Sequence, residues 1–297
     1  MASTSPALFA DRLAEAMERT GSLACVGLDP VIEKIPKGAV VGGDTPAATL
    51  RRFCEGVLDA VAGQVPVVKF QSGCFERHGP EGVAVLNELI TRAKSQGLLA
   101  LLDAKRGDIG VTAEHYAHAV FHVAKADALT VSPYLGMDTL EPYFTAGSSS
   151  VGLFVLVRTS NPGSDGVQNL SLADGRTLAE AMGGMVTDFG RKWRSDNGLS
   201  SVGAVVGATK AADATRLRAV MPDQVFLVPG YGAQGGTADD IRPMLRSGRS
   251  ISQRGVLVTA SRSVIYPSIP GVSGISWTEN IRAAAAQLNR ELAQILK

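Results

Sequence analysis

The chain has 297 residues, 45% of them hydrophobic and 19% charged, and its 29 basic and 28 acidic side chains leave a formal net charge of +1. This composition suits one large α/β domain or two small ones, and it supplies neither a global basic field for nucleic acid nor an acidic tail. No apolar stretch is long enough to span a bilayer, and Met1–Pro6 lacks a basic segment followed by an apolar core, so neither a membrane span nor a signal peptide is expected. Cys25, Cys54 and Cys74 are widely spaced and form no C-x-x-C pair, which argues against a disulfide framework or a zinc knuckle and makes the cytoplasm the expected location.

Strand and helix patterns alternate almost without interruption. Phe9–Arg19 reads as a helix lying across the bottom of the structure, followed by a strand at Leu23–Asp29 and a helix at Pro46–Ala62. A strand at Val67–Phe70 and a helix at Pro80–Ser95 come next. The third strand, Leu98–Lys105, leads through Thr112, a candidate N-cap, into a helix at Ala113–Lys125. Strands at Ala128–Ser132 and Gly152–Thr159 flank a short helix at Asp138–Phe144. Helix Thr177–Trp193, strand Val202–Thr209, helix Ala212–Ala219, strand Val225–Pro229, helix Ala238–Arg246 and strand Gly255–Ser261 continue the alternation, and a helix at Thr278–Leu296 closes the chain.

Most of the strands are β-branched or Leu-rich runs bounded by Gly or Pro, as expected of a parallel sheet buried on both faces. Eight such strands with interleaved helices predict a single α/β domain over residues 1–297, a (β/α)8 TIM barrel. The rival is an open doubly wound sheet. No G-x-G-x-x-G turn follows the first strand, and functional-looking residues end many strands rather than one switch point, which favours the barrel. The extended loops Ser160–Arg176 and Gly230–Thr237 then fall on the face where barrel active sites are built.

Charge concentrates at the C-terminal ends of the first three strands, with Asp29 on the first, Lys69 on the second, and Asp103 and Lys105 on the third, followed by Asp108 on a Gly-flanked turn. Side-chain alternation puts Leu101, Asp103 and Lys105 on one face. A carboxylate and an ammonium at the end of an apolar strand are costly unless paired, so the cluster reads as a lysine held between carboxylates and ready to give up a proton.

At the other side of the expected mouth, Pro229-Gly230-Tyr231-Gly232-Ala233-Gln234-Gly235-Gly236 follows the seventh strand and Ser261-Arg262 follows the eighth. These are the recurrent phosphate-binding loops of such barrels, and Arg262 adds a fixed cation with a planar donor fork. Ser160 and Asn161 after the fifth strand offer hydrogen bonds to a heterocycle or simply form a polar turn. Arg158 can reach the mouth or pair with a carboxylate. His115, His118 and His122 form a helical stripe, read as a surface or interface feature because no Asp or Glu pattern completes a metal site.

Asp103-x-Lys105-x-x-Asp108-Ile109-x-x-Thr112 resembles the signature of the orotidine 5'-phosphate decarboxylase family. The resemblance runs through Val26-Gly27-Leu28-Asp29, Val68-Lys69-Phe70, Ser160-Asn161-Pro162-Gly163, the Pro229–Gly236 loop and Ser261-Arg262, and the wording around Asp103 looks most like the mycobacterial type. Hexulose-phosphate synthases share the D-x-K-x-x-D element, but they are expected to carry an acidic residue where this chain has Lys69, and they use magnesium.

The resemblance implies a homodimer with active sites at its interface, where Asp108, Ile109 and Thr112 reach the partner's site. It implies that Arg262, Gln234 and the backbone of the last two loops bind the 5'-phosphate. Asp29, Lys69 and Thr112 would hold the ribose hydroxyls, Ser160 the pyrimidine edge with Ser132 as competitor, and Pro229 would frame a loop that closes over substrate. It also implies decarboxylation to UMP without metal or cofactor. Asp103 and Asp108 keep Lys105 charged, and Lys105 protonates a carbanion at C6. The alternatives are a magnesium-dependent aldolase or decarboxylase acting on a sugar phosphate, and a catalytically silent nucleotide-binding barrel.

Overall fold

In a computed structural model of the chain, residues 7–148, 150–232, 234–248, 250–267 and 276–296 are described; Met1–Pro6 and Ala233 of the seventh loop lie outside them. The strands are β1 (Ala24–Leu28), β2 (Val67–Gln71), β3 (Leu99–Arg106), β4 (Ala128–Val131), β5 (Gly152–Arg158), β6 (Ser200–Val206), β7 (Gln224–Val228) and β8 (Val256–Ala260). All pair in parallel and in chain order, with β1 closing on β8, so the expected (β/α)8 barrel is present and the open sheet is not. Continuous burial along β1, β4, β6, β7 and β8 explains their unbroken apolar runs: these strands face the barrel interior on one side and the helical ring on the other.

The expected bottom helix is Phe9–Thr20. Arg12 reaches Asp127 at 2.7 Å, and the Ala10 N–H donates to Ser201 at 3.1 Å, which seats the helix on the N-terminal strand ends. Gly152 permits that seating, because a Cβ there would lie 2.2 Å from the Phe9 ring. Arg218 clamps the same end of β7 and β8. It donates to the carbonyls of Met221, Gln224, Met244 and Gly255 at 2.8–2.9 Å and lies 3.6 Å over the Phe226 ring. Arg218→Ala is expected to lower the unfolding free energy by about 3 kcal/mol, measured by urea denaturation, because bonds from a charged donor are lost and the carbonyls are left unpaired.

Several helix ends differ from expectation. Thr112 is not an N-cap: the helix starts earlier, at Gly110, with Ile109 at the cap position and no side-chain cap. The left-handed Gly110 (φ 48°) turns the chain into the helix, so Thr112 lies inside its first turn. This helix ends at His118 and runs into a π-turn at Ala119–Val123. The helix expected at Ala238–Arg246 stops at Ile241, because Pro243 cannot donate the next helical hydrogen bond and a 3-10 turn over Arg242–Met244 replaces it. Thr177 and Glu180, by contrast, form a reciprocal capping box at the start of Leu178–Gly190.

Candidate active site

The C-terminal strand ends enclose a cavity of about 490 Å³. It is lined by Asp29, Lys69, Asp103, Lys105, Ser160, Pro229, Gln234 and Arg262 among others, which brings together eight of the residues singled out from the sequence. Gly27 lets the first and eighth strand ends converge: a Cβ there would lie 2.0 Å from Ser261 Oγ.

Asp103 organises the charged side. Its Oδ2 accepts from Lys69 Nζ at 2.9 Å and Gln71 Nε2 at 3.3 Å, and its Oδ1 accepts from Lys105 Nζ at 2.6 Å and Thr130 Oγ1 at 2.9 Å. Lys69 also reaches Asp29 at 3.4 Å. Burial disfavours the Lys69 ammonium, but Asp29 and Asp103 outweigh it and hold its pKa above the usual lysine range. Burial likewise pushes the Asp103 carboxyl up, yet Lys69 and then Lys105 bring it down to about 2 from the ordinary 3.8. A carboxyl whose pKa falls on folding stabilises the fold above about pH 4, and that contribution is lost as pH drops toward 2. Asp103→Asn is therefore expected to flatten this limb of the stability curve, read by urea unfolding across an acid pH series.

The third strand does not hold its alternation to the end. Its register against β4 slips between Leu102 and Arg106, and Lys105 adopts φ 47°, a left-handed conformation uncommon for lysine. The Lys105 side chain is half exposed at the mouth while Asp103 is buried.

Asp108, Ile109 and Thr112 are not brought to this cavity. Asp108 accepts from the Ile109 N–H, and Ile109 and Thr112 lie exposed outside the mouth. Ile109 (62%) and Val111 (63%), at the start of the helix after β3, and Tyr134 (90%), on the loop after β4, present solvent-exposed apolar surface.

On the opposite side, Gly230, Gly232 and Gly235 all have positive φ, and the loop folds back through Gly236 N–H to Gly230 O at 3.1 Å. Tyr231 lines the cavity and donates to Glu291 of the last helix at 3.3 Å. Ser160 lines the cavity; Ser132 instead lies against Gly107, its N–H donating to Arg106 O at 2.8 Å. Arg158 points away from the mouth: it is 2% exposed and binds Asp213 at 2.8 Å, Asp165 at 2.6 Å and Ser164 at 3.0 Å. Through these bonds it fastens the loop carrying Ser160, whose Thr159 pairs twice with Gln168. The histidine stripe is exposed, with His118 stacked on His122 at 4.9 Å.

Sequence reasoning missed Gln71, Thr130, Gln168 and Thr259, which also line the cavity. The only signal for Thr130 was one polar residue inside Ala128-Leu129-Thr130-Val131.

A closed parallel barrel that gathers paired charges at strand ends one to three and a glycine loop with an arginine at strand ends seven and eight has the arrangement of a (β/α)8-barrel enzyme. Residues 22–271 match the family described as Orotidine 5'-phosphate decarboxylase / HUMPS, and the chain belongs to that family. It is 41% identical over 302 aligned residues to an orotidine 5'-phosphate decarboxylase of Rhodopirellula baltica, covering 96% of this chain and 98% of that one. It is 38% identical to the corresponding protein of Roseiflexus castenholzii, covering 97% of this chain and 98% of the relative. The structure of Leishmania donovani OMP decarboxylase superposes with a TM-score of 0.75 at 34% identity, covering 97% of this chain and 98% of that chain.

Proposed function

We infer that this chain is a carbon–carbon lyase that converts orotidine 5'-phosphate to UMP and CO2, the last step of de novo UMP synthesis. The observation that carries the reading is the Lys69–Asp103–Lys105 cluster, with Lys69 and Asp103 buried and Lys105 at the mouth, in a cavity that Gln234, the glycine loop and Arg262 also line. The related decarboxylases at 38–41% identity over nearly the full chain support the same substrate.

In this reading the C6–carboxylate bond breaks, CO2 leaves, and the electron pair stays on C6. Lys105 Nζ stabilises the growing charge and then transfers a proton to C6; solvent restores the proton to the amine. Asp103 orients Lys105 and sets negative charge beside the departing carboxylate. Lys69 and Asp29 hold the ribose hydroxyls, Ser160 the pyrimidine edge, and Arg262 and Gln234 the phosphate, while Pro229 frames the closing loop. Phosphate binding remote from C6 can then drive loop closure and so raise turnover as well as affinity.

A magnesium-dependent sugar-phosphate activity fits less well, because the Lys69 ammonium already bridges Asp29 and Asp103, the pair of carboxylates a divalent ion would need. Residues 1–297 act as one barrel domain, working as a homodimer. The exposed apolar surface at Ile109, Val111 and Tyr134 supports that assembly, in which Asp108, Ile109 and Thr112 complete the partner's cavity. No described helix is long and apolar enough to cross a membrane, and the cysteines are unpaired, which supports work in a reducing cytoplasm.

The test is the decay of orotate-ring absorbance when purified protein meets orotidine 5'-phosphate, with and without EDTA. Decay that ignores EDTA is the expected result; no decay, or decay abolished by EDTA, overturns the reading. Arg262→Ala is expected to lower kcat/KM for the nucleotide by about tenfold to a hundredfold while sparing the residual rate with unphosphorylated orotidine. Equal losses on both substrates would remove Arg262 from the phosphate site.

A further inference from the structure

The ladder between β3 and β4 contains an irregularity that one hydroxyl spans. Leu102 pairs with Leu129, but the next β3 residue in register is Arg106, opposite Val131. Asp103, Ala104 and Lys105 are therefore crowded opposite the single residue Thr130, and the Lys105 N–H has lost its place in the ladder. Thr130, 1% exposed, takes that N–H on its Oγ1 at 3.0 Å. The same oxygen donates its proton to Asp103 Oδ1 at 2.9 Å, the oxygen that also receives Lys105 Nζ at 2.6 Å.

A hydroxyl can do both because it carries one donor and two acceptor sites. A left-handed backbone at lysine is unfavourable and persists only where its surroundings hold it. Here the hold falls on the residue whose ammonium must meet the reacting carbon. The same hydroxyl fixes the position of the carboxylate that orients that ammonium.

We propose that Thr130 is a positioning residue that holds both ends of Lys105, clasping its strained backbone N–H directly and its ammonium through Asp103. The proposal rests on the decarboxylase reading for its kinetic consequences, but its geometric content stands apart from that reading. Valine has nearly the shape of threonine but cannot bond either partner, whereas serine keeps both bonds.

Thr130→Val is expected to lower kcat for orotidine 5'-phosphate by about a hundredfold, the scale of a 1 Å misplacement of a reacting group, with KM changed by no more than about twofold. Thr130→Ser is expected to recover kcat to within about threefold of the wild-type value. Thr130→Ala, which also deletes the hydroxyl, replaces the valine variant if that one fails to fold. A crystal structure of the folded hydroxyl-less variant is expected to show Lys105 out of the left-handed region and its Nζ withdrawn from Asp103.

A hydroxyl-less variant with a near-wild-type kcat overturns the proposal, as does a serine variant as slow as the valine one. So does a structure in which Lys105 keeps φ near 47° and its contact with Asp103. Wild-type protein that leaves orotidine 5'-phosphate intact overturns the decarboxylase reading alone, and the crystal structure then decides the role of Thr130.

Discussion

Lys105→Ala is expected to cost turnover on the order of ten-thousandfold while leaving orotidine 5'-phosphate binding measurable. Two separate contributions are lost together. In the proposed mechanism the first is the proton delivered to C6; the other lysine of the cavity, Lys69, is buried between Asp29 and Asp103. The second, in the same reading, is the positive charge placed where the carbanion develops. Binding is expected to survive because Arg262 and Gln234, the proposed phosphate ligands, are unaltered. The substitution also releases one of the two lysines drawing on Asp103, so the retained Lys69–Asp103 contact at 2.9 Å should keep that carboxylate folded in place. Single-turnover decay of the orotate absorbance measures the chemical step, and ligand titration by fluorescence measures binding. A variant that keeps a tenth of the wild-type rate would remove Lys105 from its role.

Mixing inactive subunits is expected to give a large effect in the opposite direction. Asp108 lies outside its own chain's cavity, yet it follows the catalytic strand by a few residues and sits beside exposed apolar surface. If a two-fold dimer carries Asp108 into the neighbouring cavity, Lys105→Ala and Asp108→Asn damage different sites of a mixed dimer. One site then holds both substitutions and the other neither. Each variant alone is expected to be nearly inactive, and random re-pairing of equal amounts should restore about a quarter of the wild-type activity. The measurement is the specific activity of the mixture after subunit exchange, with heterodimers verified by mass. Verified heterodimers without activity would show that the cavity is completed within one chain.

The barrel was legible because strands buried on both faces must be apolar throughout, and a charge at such a strand's end has few structural reasons to be there. Asp29, Lys69, Asp103 and Lys105 were readable on that ground, and Arg262 from its place after the last strand. What stayed hidden depends on which residues meet across the sheet. Nothing in Asp103-Ala104-Lys105 announces a left-handed lysine, since the bend is set by a slip against β4. Thr130 became informative only when that slip placed it opposite the extra residues. Arg158 was ambiguous for a related reason: one carboxylate partner, Asp213, is distant in sequence and joined by the fold, and the other, Asp165, is brought back to it by the turn of the loop after its own strand. Pro243 was a readable stop signal, and the helix expected through it ends before it.

The sharing of one carboxylate by Lys69, Gln71, Lys105 and Thr130 has an evolutionary consequence. The worth of each of these side chains depends on the presence of Asp103, so substitutions among them are strongly epistatic rather than additive. A chain that loses Asp103 leaves two lysines facing each other, and no single second change repairs both. Drift toward another chemistry on this scaffold therefore has to rebuild the strand-two and strand-three ends together, whereas the loops after β7 and β8 can be inherited unchanged.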